Sequence, residues 1–112
     1  MINIEELTVK QIKEIAALVN LGQAQKDHPY PVGKNVFIRT VTMNHTGKLV
    51  AVYEHELVLE GAAWIADSGP FTNALANGDF SEVEMFPSGR VIVGRGAIID
   101  VAEITTIPTS RK

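Results

Sequence analysis

The residues of this chain that could do chemistry are few and widely spaced. His28, His45 and His55 are its three histidines, and no two of them stand two or four positions apart. Neither a strand nor a helix therefore offers a ready pair of imidazoles to a metal, and a metal site would have to be assembled by folding. There is no cysteine, so there is no thiolate nucleophile, zinc knuckle or disulfide framework. No serine lies in a Gly-x-Ser-x-Gly elbow, Gly94-x-Gly96 lacks the third glycine of a dinucleotide loop, and no Walker lysine motif is present. Glu82 and Glu84 alternate onto one face of a strand, expected to be the wet face. The expectation is a protein without catalytic residues, metal or cofactor, built to bind rather than to react.

Three places compete for the binding role. Arg95, bracketed by Gly94 and Gly96, is a cation at a strand corner; with Arg90 nearby it interrupts an acid-rich half of the chain. The alternative is an exposed strand-end charge, with glycines that supply φ > 0 at a tight corner. Tyr53 and His55 flank a short turn, where an aromatic ring and an imidazole can stack on a nucleobase; packing for Tyr53 and plain turn surface for His55 are the alternatives. Trp64 with Asp67, Phe71 and Asn73 makes the third: a Trp beside polar loop residues lines small-molecule pockets, although a lone Trp also serves as core. Arg39 is the odd residue of an apolar run. Alternation puts it on the face of Phe37, Val41 and Met43, where it snorkels to the sheet edge or holds an anion, with an ion pair to one of the glutamates as the safer expectation.

Charge narrows the ligand. The 112 residues carry a net charge of −3, and no Lys or Arg lies between Lys48 and Arg90, whereas Glu54, Glu56, Glu60, Asp67, Asp79, Glu82 and Glu84 do. Sequence-independent binding of long nucleic acid relies on a basic footprint that this stretch cannot supply. At 46% hydrophobic and 21% charged, the chain makes a single domain with one modest core. Met1 runs into the acidic INIEEL rather than a signal-like segment, and no apolar run approaches the roughly 20 residues of a membrane span. A soluble, cytoplasmic protein without a membrane partner is expected.

The elements that must position these residues follow from periodicity. Thr8 and Gln11 form a capping box, and Val9, Ile12, Ile15, Ala16 and Val19 keep helical spacing, which predicts an N-terminal helix over 8–21 whose apolar stripe packs on the sheet or on a neighbouring subunit. The connector QAQKDHPYPVGKN follows, and Pro29 and Pro31 bar helix there. Strands are expected over 36–43, 48–53 and 56–65, with Asn44-His45-Thr46-Gly47 and Glu54-His55 as turns. Residues 67–79 interrupt the meander as an insertion, a lid or a spacer, with a short helix from Phe71 stopped at Asn77-Gly78. Strands resume over 82–86, 90–93 and 97–104, and the 105–112 tail is expected to fray.

Gly47, Leu49, Val52, Leu57, Val58 and Leu59 fall where the second and third strands of Sm-like proteins, bacterial Hfq among them, place a glycine and core residues. Val91, Ile92, Val93, Arg95, Gly96, Ile98 and Val101 resemble the closing Sm signature of an apolar strand, Arg-Gly and an apolar strand. Tyr53 stands where that family usually has Asp. The resemblance implies a mainly β fold with an N-terminal α-helix, a small bent antiparallel Sm-like or SH3-like barrel over 36–104, and a homo-oligomeric ring such as a hexamer. In such rings the corner of Arg95 faces the pore and meets a base or phosphate, and the Tyr53–His55 turn corresponds to the base-binding loop. Exposed strand edges are a liability unless they are used in this way. HPYPVGKNVFIRTVT, ELVLEGAAWIAD and GRVIVGRGAIID also resemble a family of short phage and prophage proteins. Three functions are therefore carried forward. The leading one is a phage-encoded, non-enzymatic oligomer that binds small nucleotides and sequesters a host immune signal, in the host cytoplasm. The others are an Hfq-like regulator that binds short RNA, and a protein–protein adaptor or virion accessory protein.

Overall fold

In the computed structural model the described residues are 27–112; the expected helix over 8–21 lies outside them. The rest of the chain folds as a mainly β unit. The strands are β1 (Asn35–Thr40), β2 (Asn44–Val52), β3 (Glu56–Asp67), β4 (Glu82–Met85), β5 (Val91–Gly94) and β6 (Ile98–Glu103), with one helix, α1 (Phe71–Asn77). All pairings are antiparallel and run in the order β4-β3-β2-β1-β6. β5 pairs with β3 off this path.

β3 organises the sheet. Its first residues, Glu56–Leu59, pair with β5, and its last, Ala63–Asp67, pair with β4, while β2 runs along its other side. The switch between partners falls at Gly61, whose φ of +59° only glycine adopts without strain. There β3 is bulged, Gly61 and Ala62 together standing opposite Gly47 of β2. A Cβ on Gly47 would lie 3.0 Å from Leu59 Cβ and 3.1 Å from the Glu60 carbonyl oxygen. Glycine at 47 thus permits the close crossing of two bent strands. The expected turn at Asn44–Gly47 is instead the start of β2, with His45 and Thr46 buried. The turn falls earlier, where the Thr40 hydroxyl donates to the Met43 carbonyl at 2.6 Å and accepts the Met43 N–H at 3.0 Å. A threonine side chain that satisfies local backbone groups competes with strand pairing, and Val41 and Met43 are left exposed in the turn.

Both faces of the sheet are covered. Val36, Ile38, Leu49, Val52, Leu57, Leu59, Ala62 and Val93 form one core, and Phe37, Ala63, Ile65, Ala74, Phe80, Val83 and Ile104 form the other. Consecutive residues Val36, Phe37 and Ile38 are each buried, which is why β1 reads as an unbroken apolar run. α1 roofs the second core through Ala74 and ends at Gly78, whose N–H reaches the Ala74 carbonyl from a left-handed φ of 71°. The 67–79 insertion is therefore part of the packed structure. Asp67 closes the turn that leads into α1, its Oδ1 accepting the Gly69 N–H at 2.8 Å.

Two expectations are corrected. The barrel does not close: β5 and β6 are joined by a single turn of 3-10 helix, Arg95–Ala97, but do not pair with each other, because β5 lies on β3 and β6 on β1 at opposite margins of the sheet. The tail does not fray. Lys112 exchanges two backbone hydrogen bonds with Val83, at 2.9 and 3.0 Å, and Ile107 packs on the second core. Lys112 Nζ also meets Asp79 at 2.7 Å and Arg111 meets Glu84 at 3.2 Å. No helix among the described residues is long and apolar enough to cross a membrane.

Candidate ligand-binding site

The 3-10 turn after β5 fixes Arg95. Three residues must carry the chain from the β3 side of the sheet to the β1 side, and they are anchored at both ends: the Arg95 N–H donates to the His55 carbonyl and the Val41 N–H donates to the Ala97 carbonyl, each at 2.9 Å. The guanidinium folds back over the β2–β3 turn. Its Nη1 donates to the Tyr53 carbonyl at 2.8 Å, and its central carbon lies 5.0 Å from the centroid of the Tyr30 ring. A planar cation over an aromatic face and against a carbonyl is held in one orientation rather than swept through solvent.

Arg95, Tyr53 and His55 are thus brought together, though not as the sequence suggested. Tyr53 and His55 contribute backbone carbonyls to the arginine, while the His55 imidazole is 80% exposed and 3.9 Å from the Glu54 carboxylate. The aromatic face is supplied by Tyr30, which the sequence reading passed over. Its signal was an aromatic between Pro29 and Pro31 in an otherwise polar connector, a residue whose backbone is stiffened on both sides. Tyr30 packs on the first core, and its N–H donates to His28 Nδ1 at 3.1 Å. Beside Tyr30 runs a cleft of about 290 Å³, walled by Pro29–Pro31 on one side and by Ile98–Val101 of β6 on the other.

Gly94 and Gly96 flank the arginine, yet neither has a positive φ; Gly94 sits at φ −68° and ψ 126°, ordinary extended backbone. The expectation that they serve a strained corner is corrected. Among the described residues, a Cβ at either position would meet nothing within 4 Å.

The other candidates lie elsewhere. Arg90 is exposed at the opposite end of β5 from Arg95. Trp64 alternates with Ala63 and Ile65, which belong to the second core, so it faces the other side of the sheet in a cross-strand row with His45 and Glu84. Phe71 is on the second-core side, edge-on to Phe37 at 6.0 Å. Asn73 accepts from Asn77 at 2.5 Å and hydrogen-bonds Asp79. Trp64, Asp67, Phe71 and Asn73 do not line one pocket. Arg39 forms an ion pair, but with Asp100, directly across from it on β6, rather than with a glutamate; its Nε lies 2.9 and 3.0 Å from the two carboxylate oxygens. The hydrogen bonds from Arg39 hold the Asp100 carboxyl below the usual range, and the guanidinium also rests 5.6 Å from the Phe71 ring centroid. Among the described residues no cluster of three His, Asp or Glu side chains is placed to hold a metal.

His45 is the one buried histidine. Its ring stacks on Phe86 at 5.7 Å, its Nδ1 has no hydrogen-bond partner, and burial pushes its pKa below the ordinary value. The folded protein therefore binds this proton less readily than the unfolded chain does. The stability that neutral His45 contributes is complete above about pH 6.5 and declines as pH falls from there toward its folded pKa, by at most about 1.4 kcal/mol per pH unit. Urea titrations between pH 7.5 and 5 should show this loss. His45→Leu should flatten it; an unchanged slope in that variant would assign it to another group. The losses from Asp79 and Asp100, whose folded pKa values are also lowered, belong to a separate window below about pH 4.

Comparisons with known protein families, with curated proteins and with solved structures find no match for the chain.

Proposed function

We propose that this protein is a non-enzymatic, homo-oligomeric binder of small nucleotides, encoded by a phage and sequestering a nucleotide signal of host defence. The observation that carries the binding site is Tyr30, which carries Arg95 over its ring and also lines the neighbouring cleft. An apolar, stacking-competent wall beside an oriented guanidinium suits a base joined to a phosphate. At about 290 Å³ the cleft sits at the small end of ligand sites and takes one nucleoside rather than a polymer. The acid-rich stretch between Lys48 and Arg90 points the same way.

Oligomerisation is supported by the two margins of the sheet. Among the described residues β5 pairs only with β3 and β6 only with β1, and these strands expose Ile92 and Ile99 at 61% and 62%. Open edges with exposed β-branched residues are sites of strand addition. Pairing β5 of one copy with β6 of the next would build a Sm-like ring, a hexamer or other small ring by resemblance. The Arg95 corner, joining those two strands, would then lie at a subunit boundary. The phage origin and the role against host defence rest on the resemblance to short phage and prophage proteins.

The Arg95-Gly96 corner also favours a second reading, an Hfq-like regulator that binds short RNA. Melting the pure protein with cyclic oligonucleotides, ADP-ribose, oligo-U or oligo-A separates the two, since a ligand of the folded state raises the melting temperature by mass action. The nucleotide reading expects the small ligands to act and the RNAs to be silent. Stabilisation by RNA alone would favour the regulator; no stabilisation by any of them would leave the adaptor or virion accessory role. Light scattering at micromolar concentration should show an oligomer, and a monomer would remove the ring.

A further inference from the structure

We infer that His45 is a proton-operated latch: protonating its ring opens the end of the β1–β2 hairpin, Thr40–His45, and frees the Arg95–Ala97 turn from one of its two anchors. The opening belongs to the fold itself; that it regulates binding rests on the role proposed for Arg95. His45 is 6% exposed, opposite Ile38 of β1 and Trp64 of β3, with its ring stacked on Phe86. Its Nδ1 has no hydrogen-bond partner among the described residues. A neutral imidazole can leave that nitrogen as a bare acceptor. An imidazolium carries an N–H on both nitrogens, so it would bury a donor without an acceptor together with a charge.

Among the described residues no counter-charge faces the ring. The Arg39–Asp100 pair of β1 and β6 lies on the second-core face beside Phe71. Glu84 of β4 stands beyond Trp64 in the same cross-strand row and is engaged by Arg111 at 3.2 Å. Lys48, the other basic residue of β2, is exposed and of the wrong sign. Burial alone accordingly lowers the pKa of His45. The turn before His45 is lightly held. Val41 and Met43 are exposed, and the Val41 N–H ties the turn to the Ala97 carbonyl at 2.9 Å. The crossing at Gly47 separates this end from Leu49 and Val52 in the first core. A hairpin end with few buried apolar contacts opens before the sheet unfolds, and opening lets the imidazolium reach water.

The test is amide hydrogen exchange of the full chain without ligand between pH 7.5 and 5, corrected for the intrinsic pH dependence of exchange. The open state binds the proton more readily than the closed one, so protection of the Val41 N–H should fall by up to about tenfold per pH unit below about pH 6.5. Emission of Trp64, the one tryptophan and a cross-strand neighbour of His45, should change over the same range. In dilute urea Val41 exchange should hardly respond, because opening a hairpin end exposes little surface. Exchange of the Leu49 N–H, which donates to the Lys34 carbonyl, should accelerate there. His45→Phe and the smaller His45→Leu, which leave His28 and His55 in place, should each abolish the pH dependence of Val41. Val41 protection that does not change with pH overturns the inference. So does a urea response equal to that of Leu49, which would reduce the effect to global unfolding, or a pH dependence that persists in both variants, which would assign it to another group. Opening as described in a protein that binds no nucleotide would overturn the reading of Arg95 and confirm the latch.

Discussion

Arg95→Ala is expected to weaken nucleotide binding by about ten- to a hundredfold, the equivalent of one charge-assisted contact of roughly 1.5–3 kcal/mol. The loss has two sources. On the proposed reading the guanidinium would supply the charge that meets the phosphate, and it lies over the ring of Tyr30 that walls the cleft. Arg95→Lys should recover only part of the affinity, because an ammonium cannot reproduce a planar fork set between a carbonyl and an aromatic face. The fold should survive, since the turn is pinned by backbone bonds from Arg95 to His55 and from Val41 to Ala97 that alanine preserves. Calorimetric titration alongside melting curves decides the matter. Unchanged affinity with a lowered melting temperature would make Arg95 a brace for the β2–β3 turn and move the site elsewhere.

Phe80→Ala should destabilise the protein by about 3–5 kcal/mol. Phe80 is 1% exposed and stacks on Phe37 with ring centroids 5.6 Å apart and planes within 9°. Its removal opens a cavity beneath α1 and removes an aromatic pair of about 0.5–1.5 kcal/mol that area alone does not count. Against a domain stability of about 5–15 kcal/mol this is a large fraction. For a domain of this size it corresponds to a fall in melting temperature on the order of 20 °C. Phe80→Leu should restore much of it. The Arg95 corner borders the first core, so nucleotide affinity well below the melting temperature should change little. A drop of only a few degrees for Phe80→Ala would mean that α1 does not seal the second core.

The strands and the short helix were legible where a local pattern and the final burial agree. β2 and β3 carry apolar residues that do become core, and α1 stops at Gly78 because only glycine is at ease in the left-handed conformation that closes it. The errors fall where one residue serves two ends. Gly47 follows Asn44-His45-Thr46 and looks like the close of a turn, but it is needed for the crossing of β2 on β3. Val41 and Met43 continue a β-branched run and yet sit in a turn, because the Thr40 hydroxyl offers the backbone a nearer partner. The tail ends in Ser-Arg-Lys and looks frayed, but finds its order in β4, a strand encoded about 25 residues before it.

By itself the sequence determined that the chain is mainly β, that no Lys or Arg lies between Lys48 and Arg90, and that Arg95 stands in a corner between two apolar strands. Each follows from residue types and short-range spacing, which local propensity and charge convert directly into structure. The tertiary structure alone decided which groups surround that arginine. Tyr30, Tyr53, His55 and Arg95 come from three separate stretches of chain, and the pairing of β5 with the start of β3 and the 3-10 turn that follows β5 bring them to one end of the sheet. It also paired Arg39 with Asp100 and set Trp64 and Phe71 on opposite faces. Cross-strand register is a long-range property, and moving a strand by one residue exchanges its two faces.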